Sequence, residues 1–185
     1  YDGTGGRSTD GAGTTGAIEL TIFYIDADGL PATGTHTLGT DGSDVTAFTG
    51  LGINRTSVSA TGTDDVNVSD ITITATSSAT NQNQVPAGQG ASQQCVFFVG
   101  SNHTAVANHL FVNVNKLSGS SPVVTIKGWV YSRLVDSKFE VFRYTMDTSV
   151  ENHIEINEPI GFRLNPTDVL FFTADTNQNN TVVNM

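Results

Sequence analysis

The stretch Ala17-Ile18-Glu19-Leu20-Thr21-Ile22-Phe23-Tyr24-Ile25 decides the fold class. Ile18, Leu20, Ile22 and Tyr24 project to one side, and Glu19, Thr21 and Phe23 to the other. A period of two belongs to a half-buried β-strand; a helix would repeat its apolar residues every three or four positions. The β-branched and aromatic residues agree, because they pack well on a pleated surface and lose rotamer freedom in a helix. Asp28-Gly29 follows and suits a tight hairpin, since Gly accepts positive φ.

The same style continues outward. Residues 35–38, 45–48, 51–60 and 70–76 read as strands, the last alternating Ile with Thr. Residues 77–84 are polar and read as structureless, and Val85-Pro86-Ala87-Gly88-Gln89-Gly90 closes the first half with Pro and Gly. Residues 94–99, 104–116, 123–135, 138–146, 151–156, 169–173 and the last few residues read as the strands of the second half. Gly128 marks a bend or bulge in the strand that holds the only Trp, and Asp136-Ser137 turns it into a hairpin. No segment sustains a helical period. The expectation is an all-β chain of two small antiparallel β-sandwich, jelly-roll-like units, residues 17–90 and 91–185. Residues 1–16 are Gly, Thr, Ser and Asp without apolar periodicity, and read as a flexible arm or linker that orders against a partner. The ending Thr181-Val182-Val183-Asn184-Met185 reads as a strand cut midway, as in a piece of a longer polypeptide.

Composition narrows the function. Of 185 residues only 14% are charged, against roughly 25% in an average soluble domain. The gap is filled by 26 Thr, 15 Ser, 15 Asn and 19 Gly. Eight basic residues against 18 acidic ones, net charge -10, argue against a nucleic-acid binder, which needs cations to displace phosphate counterions. No apolar run approaches the roughly 18 residues of a membrane helix, and a single cysteine makes no internal disulfide. Residues 1–90 carry 2 basic and 10 acidic residues, and residues 91–185 carry 6 and 8. The first half is therefore expected to face solvent, and the second to bury more surface against other protein.

The chemistry-bearing residues are sparse. Asp26-Ala27-Asp28-Gly29 resembles only the start of a calcium loop, lacks the later ligands and reads better as a hairpin turn. His36, His103, His109 and His153 are scattered without zinc-site spacing, and Cys95 sits in an apolar run, as an inert thiol does. Glu151 and Glu155 share strand parity and resemble a glycosidase carboxylate pair only if a cleft brings them together. Trp129 and Tyr131 are the aromatics a glycan-binding module would expose. Sequons at Asn54, Asn67, Asn102 and Asn179 match the about three expected by chance and carry no information. Lys127, Arg133, Lys138 and Arg143 fall in the presumed hairpin, where they either pair across strands or contact an acidic neighbour. No cofactor, metal or catalytic motif emerges.

Four stretches together carry a resemblance: residues 15–29 (Thr15 to Gly29), Gly50-Leu51-Gly52-Ile53-Asn54-Arg55, the Val85 to Gly90 segment, and Gly161-Phe162-Arg163-Leu164-Asn165-Pro166-Thr167-Asp168-Val169. In that order, over roughly residues 15–175, the chain resembles virion structural proteins of tailed phages, above all marine and cyanobacterial podoviruses. The resemblance implies a non-enzymatic β-rich protein on the capsid exterior, of the decoration, cement or knob type, bound to the major capsid protein or other virion proteins. It transfers no catalytic residue. A homo-oligomer without nucleic-acid or membrane partners is expected, with Tyr1, Arg7, Lys127, Arg133, Lys138 and Arg143 as the partner-binding residues. The alternative is a phage fibre or receptor-binding module that recognises glycans.

Overall fold

The computed structural model describes the chain except residues 1, 5–9, 12–13, 40–43, 47, 78, 117–118, 157–162 and 180, and describes residues 2–4, 44 and 184 by backbone only. The described residues form strands, turns and loops and no helix. The fold is all-β, as the period-two pattern predicts. Contacts divide it into two compact units, residues 1–94 and 95–185.

The first unit contains β1 (Asp2–Thr4), β2 (Ala17–Asp26), β3 (Pro31–Thr37), β4 (Asp44–Val45), β5 (Gly50–Thr61), β6 (Ile71–Thr74) and β7 (Asn81–Val85). They form two antiparallel sheets, β4-β1-β6-β7 and β3-β2-β5. Both sheets feed one apolar cluster. Leu20 and Ile22 come from β2, Ile53 from β5, Ile71 and Ile73 from β6 and Val85 from β7, all at most 1% exposed. The alternation in β2 buries Leu20 and Ile22, and a register shift against β5 at Phe23/Tyr24 lets Ile25 point inward too. Tyr24 stacks on Phe48, ring centroids 4.8 Å apart, and closes one side of the cluster. At the β2–β3 turn Gly29 has φ 80°, and Asp26 Oδ1 accepts the N–H groups of Asp28 (3.0 Å) and Leu30 (2.8 Å). The Asp26-Ala27-Asp28-Gly29 carboxylate is thus a turn-forming group.

Three expectations for this unit need correction. Residues 1–16 are not simply an arm: β1 pairs on both sides, with β4 and β6. Asp10, 2% exposed, accepts the N–H groups of Ala17 (2.7 Å), Val68 and Ser69 (both 2.9 Å) and the Ser69 hydroxyl. A carboxylate saturated by four donors anchors a segment that has no apolar period of its own. Residues 77–84 are not all structureless, because β7 pairs with β6 and delivers Val85 to the core. Asn and Gln have poor strand propensity, and the pairing overrides it. The strand expected at residues 45–48 shortens to β4.

The second unit contains β8 (Val96–Phe98), β9 (Ala105–Val106), β10 (Leu110–Lys116), β11 (Val123–Ser132), β12 (Ser137–Asp147), β13 (His153–Ile156), β14 (Arg163–Leu164), β15 (Val169–Thr176) and β16 (Thr181–Asn184). They form the sheets β12-β11-β15-β8 and β13-β10-β16 and the ribbon β14-β9. Strand β11 lies between β12 and β15 and alternates: Val124, Ile126 and Val130 are buried, and Thr125, Lys127, Trp129 and Tyr131 project to the opposite face. The buried set feeds two clusters. Val124 and Ile126 pack with Val112 and Val114 of β10 and Met146 of β12. Val130 packs with Val99, Leu164 and Leu170. The single strand expected over residues 104–116 is split into β9 and β10, and Val106 on β9 is 58% exposed.

The bulge expected at Gly128 is present. The β11–β12 register shifts between Gly128 and Trp129, leaving Val141 as the extra residue on β12. Gly128 pairs with Phe142 on one side and Phe172 on the other. A Cβ there would sit 2.9 Å from the Phe172 ring and 3.0 Å from Phe142 Cβ. Gly128→Ala is therefore expected to cost about 1–3 kcal/mol by overpacking, read as a lower urea midpoint with an unchanged slope. Burial pushes the Asp10 carboxyl up, but the hydrogen bonds from Ser69, Val68 and Ala17 outweigh it and hold its pKa below the ordinary value. A depressed carboxylate stabilises the fold fully above its unfolded pKa and loses that stabilisation as pH falls through its folded one. Asp10→Ala is expected to cost about 3 kcal/mol near neutral pH. It should also flatten the acid limb of the stability curve below roughly pH 4, as measured by urea titration at stepped pH.

Candidate docking surface of the second unit

The face of β12-β11-β15 opposite the core is held by short side-chain contacts. Thr125 and Thr145 share a hydrogen bond of 3.1 Å, and Lys127 Nζ lies 2.6 Å from Asp175 Oδ2. Trp129 Nε1 donates to Thr173 Oγ1 (3.0 Å), and the Lys138 ammonium sits 4.4 Å from the centroid of the Trp129 ring. Arg143 makes a bidentate pair with Glu140, both contacts 2.7 Å. That pair lowers the Glu140 pKa and raises the Arg143 pKa. Tyr131 donates to Asp136 (2.6 Å), which raises the phenol pKa. Exposed pairs of this kind contribute little stability, because solvent screens them and ordering the side chains costs entropy. Their effect is to fix side-chain geometry over a flat, half-polar face.

The end of the β11–β12 hairpin is different in kind. Its turn residues Leu134 and Val135 are 85% and 57% exposed, and Phe139 beside them is 48% exposed. Asp136, in the same turn, holds φ at 47°, in the left-handed region. The hairpin end borders a pocket of about 340 Å³, walled by Val130, Val135, Phe139 and Val141 on the hairpin side and by Arg163 and Asp168 opposite. Asp168, 3% exposed, accepts the Asn165 N–H through Oδ2 (2.8 Å). Its buried Oδ1 has no hydrogen-bond partner among the described residues. A buried unpaired carboxylate oxygen is costly unless a donor reaches it. The surface therefore combines protruding aliphatic side chains, an apolar recess and an acceptor that lacks its donor.

The sequence-predicted residues distribute as follows. Arg133 lies in the exposed hairpin turn next to Leu134. Lys127 and Arg143 face each other across β11–β12 and carry the acidic partners named above, and Lys138 rests on Trp129. Tyr1 and Arg7 lie outside the described residues. Trp129, the aromatic a glycan would stack on, is half-buried with the Lys138 ammonium over its ring and its N–H engaged. Glu151 accepts from Tyr144 (2.6 Å) at the turn before β13, which raises the Tyr144 pKa. Glu155 lies 3.4 Å from His109, opposite exposed Phe111. The two glutamates have separate partners, and neither lines the pocket. Cys95 donates to the Met185 carbonyl (3.4 Å), and burial pushes its thiol pKa up, away from nucleophilic use. No group of three metal-ligating side chains occurs among the described residues.

Sequence reasoning missed Leu134, Val135 and Asp168. A signal existed in Arg133-Leu134-Val135-Asp136, where two aliphatic residues occupy a hairpin turn that normally takes polar or small ones. No signal announced Asp168, because a carboxylate after Asn165-Pro166-Thr167 reads as ordinary turn chemistry. Comparison with protein-family models, with curated proteins and with solved structures finds no match for the chain.

Proposed function

We propose that the chain is a non-enzymatic virion structural protein that binds the capsid surface and decorates or stabilises the shell, with the β11–β12 hairpin end as its docking surface. The resemblance to phage virion proteins supports the assignment to a virion. The observation that carries the docking role is the pair Leu134 and Val135, exposed beside an apolar pocket. Aliphatic side chains raised on a turn gain free energy only when another surface removes them from water, about 25 cal/mol per Å² of apolar area. The partner that fits has apolar side chains for the recess and a hydrogen-bond donor for Asp168 Oδ1. Arg133 at the same end favours an acidic rim on that partner.

The test is cosedimentation of the purified protein with podovirus capsids or capsid subunits. Wild-type protein is expected in the pellet, and a Leu134→Asp, Val135→Asp double variant in the supernatant. Both side chains are exposed, so the variant should keep its stability within about 0.5 kcal/mol, checked by urea unfolding. Absence of wild-type protein from the pellet sinks the capsid-binding reading. A folded variant that still pellets fully sinks the docking surface.

A further inference from the structure

We infer that the first unit carries a binding site for a neutral polyhydroxylated ligand, a sugar ring, on strand β7. This goes beyond the capsid-binding reading and does not depend on it. A pocket of about 280 Å³ is lined by residues 81–84 of β7 with Pro86, Gln93 and Gln94. Every lining side chain except Pro86 is a carboxamide, and none is charged. A phosphate or a carboxylate finds no cation here, and a purely apolar ligand would strand the amides.

The amides are held in place. Gln82 Nε2 donates to the Thr80 carbonyl (3.2 Å), Gln84 Nε2 to Asp70 (2.9 Å), Gln93 Nε2 to Gln89 (2.7 Å) and Gln94 Nε2 to the Ile53 carbonyl (3.1 Å). With one N–H of each engaged, the four glutamines are oriented and still offer a carbonyl oxygen that accepts and a second N–H that donates. Asn83 is the exception. It is 3% exposed, and neither its amide nitrogen nor its oxygen has a hydrogen-bond partner among the described residues. A buried side chain with both polar atoms unpaired is rare in folded proteins and calls for a partner from outside the fold. The site thus has several oriented carboxamides that both accept and donate, and in Asn83 one whose donor and acceptor are both unengaged. Adjacent hydroxyls of a sugar match that pattern, because each hydroxyl both donates and accepts. The Pro86 ring supplies the one apolar wall for the ring's C–H face. A volume of about 280 Å³ suits a single sugar unit, at the lower end of small-ligand pockets.

The experiment is a ¹⁵N NMR titration of the full chain with neutral monosaccharides and disaccharides of the gluco, galacto, manno and N-acetylhexosamine series. The side-chain amide signals of Asn83, Gln84, Gln93 and Gln94 are followed, each assigned by its single variant. At least one sugar is expected to shift them saturably. Gln93→Ala, at an exposed position that leaves the fold intact, should weaken binding about tenfold, as expected for one lost hydrogen bond to a bound group. Asn83→Leu should abolish the shifts without loss of stability, since an unpaired buried amide gives way to an apolar side chain of similar shape. Signals unmoved by every sugar overturn the inference. So do shifts confined to the Trp129 and Tyr131 face, or shifts that survive unchanged in both variants.

Discussion

The second unit hangs on the pairing of β11 along both of its edges. Every residue from Val124 to Tyr131 has a cross-strand partner on β12 and another on β15. The strand is therefore buried in its backbone whatever its side chains do. Its side chains then divide without compromise, aliphatic toward the clusters and polar or aromatic toward the opposite face. Gly128 is where this division meets a packing limit, because the Phe172 ring and the Phe142 Cβ already occupy the space above it. Replacing that hydrogen with any carbon moves a ring, and the rings belong to the core.

The low ionic content has a structural counterpart. Where a more charged protein would use ion pairs, this one uses Thr–Thr, Trp–Thr, Tyr–Asp and amide contacts. Such contacts depend on short, directional geometry and respond weakly to ionic strength, unlike exposed ion pairs. The Lys127–Asp175 and Arg143–Glu140 pairs sit on the exposed face of the second unit and cost little to exchange with solvent.

Much of the fold was legible in the sequence because alternation is a local signal. Strands β2, β6, β11 and β12 have enough apolar residues in phase to be read directly, and the bulge at Gly128 follows from a glycine inside a long strand. The sites were less legible, for a physical reason. Strand β7 reads Asn81-Gln82-Asn83-Gln84-Val85, with a single apolar residue, and exists because β6, just before it in the chain, offers a paired edge from Ile71 to Thr74. Asp10 looks like any acidic residue in a Gly-rich segment until Val68 and Ser69 are brought to it. The basic residues of the hairpin drew attention through charge, yet three of the four contact their own sheet, and the exposed aliphatic pair between them is the more unusual feature.

The bulge on β12 has a consequence for how the second unit comes apart. By inserting Val141, it allows two consecutive residues to serve different interiors: Val141 packs against the Val130 cluster and Phe142 against the Val112 cluster. Phe172 of β15, on the other side of β11, packs against both. Neither interior has a boundary of its own along the sheet, so loosening one strips a wall from the other. The two clusters are mechanically one, and heat or force that opens either end must propagate through the same pair of rings.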